Sequence, residues 1–185
     1  MRAVLRPGFL ASFVAGWMLV ITALPARACG PVVEIDFYES SPDIMSIHNR
    51  SEEAWSLVSL TFNLGTSAGS LIFDTVFGGA GENIPSDFDI IGGTARLAAT
   101  PKVSDGDVVL LMLFASFGPG QNLEFTVDLD DRLVDSVLGQ AIVVGSEIAG
   151  ARVDGILRDP KGNDMPVRGI FNDKAQAQLT SLSCV

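Results

Sequence analysis

The chain has 185 residues, with 12 basic and 22 acidic side chains and a formal net charge of −10. That charge repels nucleic acid and anionic lipid surfaces, and it favours divalent cations or basic partners. One histidine and two cysteines leave too few soft ligands for a zinc site.

Arg2 and Arg6 precede the uncharged apolar run FLASFVAGWMLVITAL (9–24), and Ala26 and Ala28 stand before Cys29. A basic start, an apolar middle and an Ala-x-Ala exit predict a secretory signal peptide over 1–28, cut before Cys29. The mature chain, 29–185, then has 185 − 28 = 157 residues, enough for a single domain with its own core. Loss of Arg2, Arg6 and Arg27 brings its charge to 9 − 22 = −13. The predicted location is secreted or periplasmic, with no membrane span after signal removal. In an oxidising compartment Cys29 and Cys184 are expected to pair. Lipidation of Cys29 is the alternative, giving an anchored envelope structural protein, although Arg27 fits the small-residue pattern of a lipoprotein signal poorly.

Along the mature chain, apolar residues recur with period two between turn clusters, as in strands. VVEIDFY (32–38) and DIMSIHN (43–49) come first. In AWSLVSLTFNL (54–64), Val58, Leu60, Phe62 and Leu64 take one face; GTSAG (65–69) then turns the chain into SLIFDTVF (70–77), a hairpin by this reading. A glycine-rich stretch (78–93) leads to a short strand, TARLAAT (94–100). VVLLMLFASF (108–117) is apolar throughout, the pattern of a central strand covered on both faces. EFTVDLDDRL (124–133) places Phe125, Val127 and Leu129 on one face, with Asp128 and Asp130 on the other, followed by Asp131. Further strands are expected at 141–144, 148–157 and 165–171, and short helices at 131–139 and 172–182. The whole predicts an all-β, antiparallel β-sandwich, of jelly-roll or immunoglobulin type, with one or two short helices at most.

Catalytic chemistry is sparse. His48 is the single histidine, and no serine sits in a strand–turn–helix elbow. FGGAGEN (77–83) lacks the lysine of a phosphate loop. Asn49-Arg50-Ser51 fits a glycosylation sequon. Asp128 and Asp130 are the carboxylates a carbohydrate-active enzyme would use, but residues i and i+2 of one strand stand roughly 7 Å apart with no cleft implied. Ca2+, which takes six to eight oxygen ligands, suits the cluster better. The candidate ligands are Asp128, Asp130 and Asp131, with Glu147 of GSEIAG (145–150), or Asp105 and Asp107, joining from other loops. The competing reading is an acidic strand end exposed to water.

SPDIMSIHNRSEEAWSLVSLTFNL (41–64), GSLIFDTVFGG (69–79), FGPGQNLEFTVDLDD (117–131) and VGSEIAGARV (144–153) occur in this order and together resemble the core domain of the sponge aggregation factor and its bacterial secreted relatives. The resemblance implies a non-enzymatic extracellular β-module of calcium-dependent cell adhesion, with a protein or glycan partner at the cell exterior. Asp128, Asp130, Asp131 and Glu147 stand in the matching phrases.

Overall fold

The computed structural model describes residues 30–82 and 84–181. The predicted signal segment, Cys29 and Cys184 lie outside them, so the predicted cleavage and disulfide do too. Among the described residues no helix is long and apolar enough to cross a membrane.

The fold is antiparallel and nearly all β, as the periodicity predicts. Its strands are β1 (Val33–Tyr38), β2 (Ile44–Asn49), β3 (Ser56–Asn63), β4 (Ile72–Phe73), β5 (Asp89–Gly93), β6 (Arg96–Leu97), β7 (Val109–Ser116), β8 (Asn122–Thr126), β9 (Leu129–Asp130), β10 (Arg152–Arg158), β11 (Asp164–Ile170) and β12 (Gln176–Ser181). A 3-10 turn (Leu64–Thr66) and a four-residue helix α1 (Gly145–Ile148) are the helical pieces. Ten strands form one sheet in the order β5-β8-β2-β1-β12-β11-β10-β3-β7-β6, and β4 pairs with β9 separately.

The large sheet curls on itself. Its end strands β5 and β6 are consecutive in the chain, with only Thr94 and Ala95 between them. Three Cα–Cα steps reach about 11 Å at most, so the two ends of the sheet must meet at this corner. Strand β12 makes the bend, pairing with β1 along Asp36–Val33 and with β11 at Val167 and Arg168. Inward residues from the two halves then meet: Phe62 of β3 and Phe125 of β8 contact edge to face, with ring centres 6.2 Å apart. Val33, Ile35, Leu60, Val153, Leu157 and Leu179 fill the same interior.

Several sequence expectations change. In β3, Leu57 turns inward in place of Val58, because a bulge opposite Ile156–Leu157 shifts the parity; Leu60 and Phe62 keep theirs. Strand β7 is covered on one face only. Leu110, Met112 and Phe114 are buried, while Val109, Leu111 and Leu113 remain about half exposed because none of the described residues forms a second layer over that side. The expected hairpin between 54–64 and 70–77 does not form: β3 pairs with β7 and β10, and β4 with the distant β9. Residues 131–139 form turns, 141–144 form no strand, and 172–182 hold β12 in place of a helix. In β12 the alternation Gln176, Ala177, Gln178, Leu179, Thr180, Ser181 puts every second residue inside, so burial overrides the helical preference of Ala and Gln.

Candidate metal centre

The two-stranded sheet builds the centre. Strands β4 and β9 are antiparallel with Ile72 opposite Asp130 and Phe73 opposite Leu129. Phe73 and Leu129 thus share the core face. Continued by one residue, this register sets Asp74 against Asp128, and Asp74 N donates to Asp128 O at 3.0 Å. Opposed residues in a pair share a face, as do i and i+2 of one strand. Asp74, Asp128 and Asp130 therefore converge, each offering an oxygen within 4.8 Å of the others.

These carboxylates are not solvated. Asp74, Asp128 and Asp130 are 2%, 6% and 1% exposed, against the expectation that 128 and 130 point to water. Two segments cover the outer side of the strand. Asp43 bridges the break between β8 and β9: its carbonyl accepts from Val127 N and its Oδ2 from Leu129 N at 3.2 Å. The glycine-rich segment covers the rest. Asp128 N donates to Ser86 O, Ser86 N donates to Asp74 O, and Glu82 N donates to Asp130 Oδ2. Asp105 anchors the start of this segment by accepting from the amides of Thr75, Val76 and Ala80, which hold its carboxyl below the usual range.

Despite this cover, Asp74 Oδ1 and Asp130 Oδ1 are buried without any hydrogen-bond partner. A buried carboxylate oxygen left unpaired is costly, and like charges nearby increase the cost. Burial, and then the charges of Asp130 and Asp74, push the Asp128 carboxyl up to about 7. Burial followed by the neighbouring Asp74, Glu82 and Asp131 pushes Asp130 up to about 6, against the lowering effect of the Glu82 amide. Asp43 is pushed up to about 8, mainly by burial. The ion pairs Arg50–Glu34, Arg152–Asp154, Arg168–Asp154 and Arg158–Asp164 all lie away from the triad, on outer strand faces. A dication would supply the missing charge and accept both orphan oxygens; the donor set is all oxygen, as Ca2+ prefers.

The other predicted ligands are placed differently. Asp131 and Glu147 are buried but belong to a separate clasp. Asp131 Oδ1 accepts from Leu133 N at 2.8 Å and Oδ2 from Ser136 Oγ at 2.6 Å. Glu147 Oε1 accepts from Val137 N at 3.1 Å and Oε2 from Val144 N at 2.9 Å, the latter closing the first turn of α1. Every oxygen of this pair has a donor, so it needs no ion. Asp107 caps the turn at Ser104. Asp74 is the candidate ligand that the sequence alone does not single out: nothing local links it to a strand 55 residues later.

Two other sequence candidates resolve. His48 Nε2 lies 3.1 Å from Ser46 Oγ on β2, away from any carboxylate cluster. Asn49 is fully buried, its Nδ2 donating to Trp55 O and Phe117 O at 2.9 Å each and its Oδ1 accepting from Ser51 N. The folded sequon therefore offers no amide for a glycan.

Comparison with protein families, curated proteins and solved structures finds no match to this chain.

Proposed function

We propose that this protein is an exported, non-enzymatic binding module, secreted or periplasmic, that works in adhesion at the cell exterior and holds Ca2+ between Asp74, Asp128 and Asp130. The observation that carries the cation reading is the pair of buried, unpartnered oxygens, Asp74 Oδ1 and Asp130 Oδ1, within a cluster of three carboxylates. An acidic cluster that served only solubility would be hydrated, and a purely structural one would be saturated with donors, as the Asp131–Glu147 clasp is. Burial also favours a cation over acid–base catalysis. Asp74, Asp128 and Asp130 are shielded from solvent, whereas a glycosidase pair must flank a bound sugar. The export signal, the acidic charge and the aggregation-factor resemblance support the extracellular part of the reading.

Calorimetric titration of the purified, chelator-treated protein with CaCl2 tests the centre. Binding at one site, lost in Asp130→Asn, is the expected result; no binding heat and an unchanged melting curve would overturn it.

A further inference from the structure

Half of the large apolar side chains exposed among the described residues stand on two loops, the β4–β5 connection (74–88) and the β9–α1 connection (131–144). Exposed apolar side chains gathered in this way mark an interaction surface, where scattered ones would not. The loops meet across two clefts. Leu138, Ala141 and Ile142 line one of about 260 Å3, and Ile84, Ala141 and Ile142 line the other, of about 350 Å3. Glu82, Ala141 and Ile142 belong to both, so the clefts run into one another as a single groove. Along it, Ile84, Leu138 and Ile142 are 73%, 54% and 44% exposed. At the junction of the clefts stands the exposed Glu82, whose carboxylate makes no hydrogen bond or ion pair with any described residue.

Charge and shape select the occupant. Asp128 is the other acidic group of the lining, and no lysine or arginine lines either cleft. The two loops add Asp87 and Asp135 against the single base Arg132. A second copy of this chain would bring the same acids and its own net charge of −10. A bilayer takes protruding side chains and offers nothing to fill a concave groove, and no base lines the groove to hold a lipid phosphate. A partner segment with apolar side chains for the clefts and a lysine or arginine for Glu82 is complementary on both counts. We infer that the groove between Ile84 and Leu138 docks a basic, apolar peptide segment of another protein. Its apolar side chains fill the two clefts and its cation pairs with Glu82. The inference rests on the reading of the chain as a binding module and does not involve the ion.

The test pans a phage-displayed library of random dodecapeptides against the purified chain, then measures the selected peptide, labelled with a fluorophore, by fluorescence polarisation. The expected consensus combines leucine, isoleucine or phenylalanine with lysine or arginine and excludes acidic residues. Leu138→Ser and Ile84→Ser, both at exposed positions, should each bind that peptide about tenfold more weakly. Glu82→Gln should weaken binding about threefold and make it less sensitive to NaCl. Val134→Ser, 98% exposed and outside both clefts, should bind as the wild type does. No consensus, an acidic consensus, or full affinity in both Leu138→Ser and Ile84→Ser overturns the inference and leaves the cation reading to the calcium titration. An equal loss in Val134→Ser overturns it as well, since binding would then follow loop hydrophobicity and not the groove. Self-association in sedimentation velocity, or flotation with phosphatidylcholine vesicles, that Leu138→Ser abolishes would assign the groove to a second copy or to a lipid surface, and either overturns a protein segment as its occupant.

Discussion

Gly81 rests directly on Asp130 and Asp74: a Cβ at position 81 would run into Asp130 Oδ2 and come within 2.6 Å of Asp74 Cβ. The glycine therefore lets the main chain close over the carboxylates and brings the next amide, Glu82 N, onto Asp130. Gly81→Ala should displace this segment, break the Glu82–Asp130 hydrogen bond and weaken calcium binding by about tenfold or more, the worth of one charge-assisted bond. Gly118→Ala, whose added Cβ meets nothing closer than 3.7 Å, is the control and should leave affinity unchanged. Calorimetric titration of both variants decides it.

Charge removal and ion removal should act in opposite directions. Asp130→Asn keeps an oxygen for Glu82 N but discards a buried charge, so the ion-free variant should melt at or above the ion-free wild type. It should also lose its response to calcium. At a calcium concentration one hundred times Kd the wild type gains about 2.7 kcal/mol, a rise of roughly 5–10 °C for a domain of this size. Differential scanning calorimetry with CaCl2 or EDTA measures both. A variant that still gains several degrees from calcium would contradict the assignment of Asp130.

The pH dependence has a definite sign. Asp130, Asp128 and Asp43 are raised to about 6, 7 and 8, above their values in the unfolded chain. The folded state then binds more protons than the unfolded one, so its stability falls as pH rises. In EDTA the melting temperature should be highest near pH 5 and fall steadily to pH 8, the reverse of ordinary acid denaturation. Saturating calcium should abolish this decline, because the ion replaces the protons, and calcium affinity should rise over the same interval. A flat melting profile between pH 5 and 8 in EDTA would show that these carboxylates are not the buried, strained set described above.

The Asp131–Glu147 clasp should affect stability and leave the ion alone. Ser136→Ala removes the donor to Asp131 Oδ2, leaving that buried oxygen unpaired at a cost of about 1–3 kcal/mol. Calcium affinity should remain within about twofold of wild type, since none of the clasp's oxygens lacks a donor that an ion would have to replace. Denaturant melts and calcium titrations of the one variant separate the two effects.

Asn49→Ala should destabilise more, by about 2–4 kcal/mol, because it strips partners from the buried carbonyls of Trp55 and Phe117 and from Ser51 N at once. Produced in a glycosylating host, the wild-type protein should keep the mass of the bare chain at this site, which intact-mass spectrometry reads directly. A glycan on Asn49 would mean that modification precedes folding.

Strand content and antiparallel pairing are legible in the sequence because alternation marks a half-buried strand locally. The alternation of β1, β10 and β8 states which side faces the core without reference to any neighbour. What alternation cannot convey is what lies over the other face. Asp128 and Asp130 alternate with Val127 and Leu129 as surface residues would, yet segments around Asp43 and Gly81 cover them. Conversely, Val109, Leu111 and Leu113 read as covered and are not. The register that opposes Asp74 to Asp128 is a long-range fact, set by β4 leaving its sequence neighbour β3 to pair with β9. The clustering of Asp128 and Asp130 is thus readable, and their third partner is not.

The curled sheet has a further consequence for how copies of this protein can meet. Its terminal strands are poor templates: β5 carries Gly92 and Gly93 and is bulged after Ile90, while β6 is two residues long with a register shift of its own. Short, irregular edges resist the addition of another chain's backbone. Self-association through strand exchange or fibril-like stacking is therefore disfavoured, even though the outer face of strand β7 is apolar. Any assembly this module enters must be made by side chains and loops, and it can be undone by whatever loosens them.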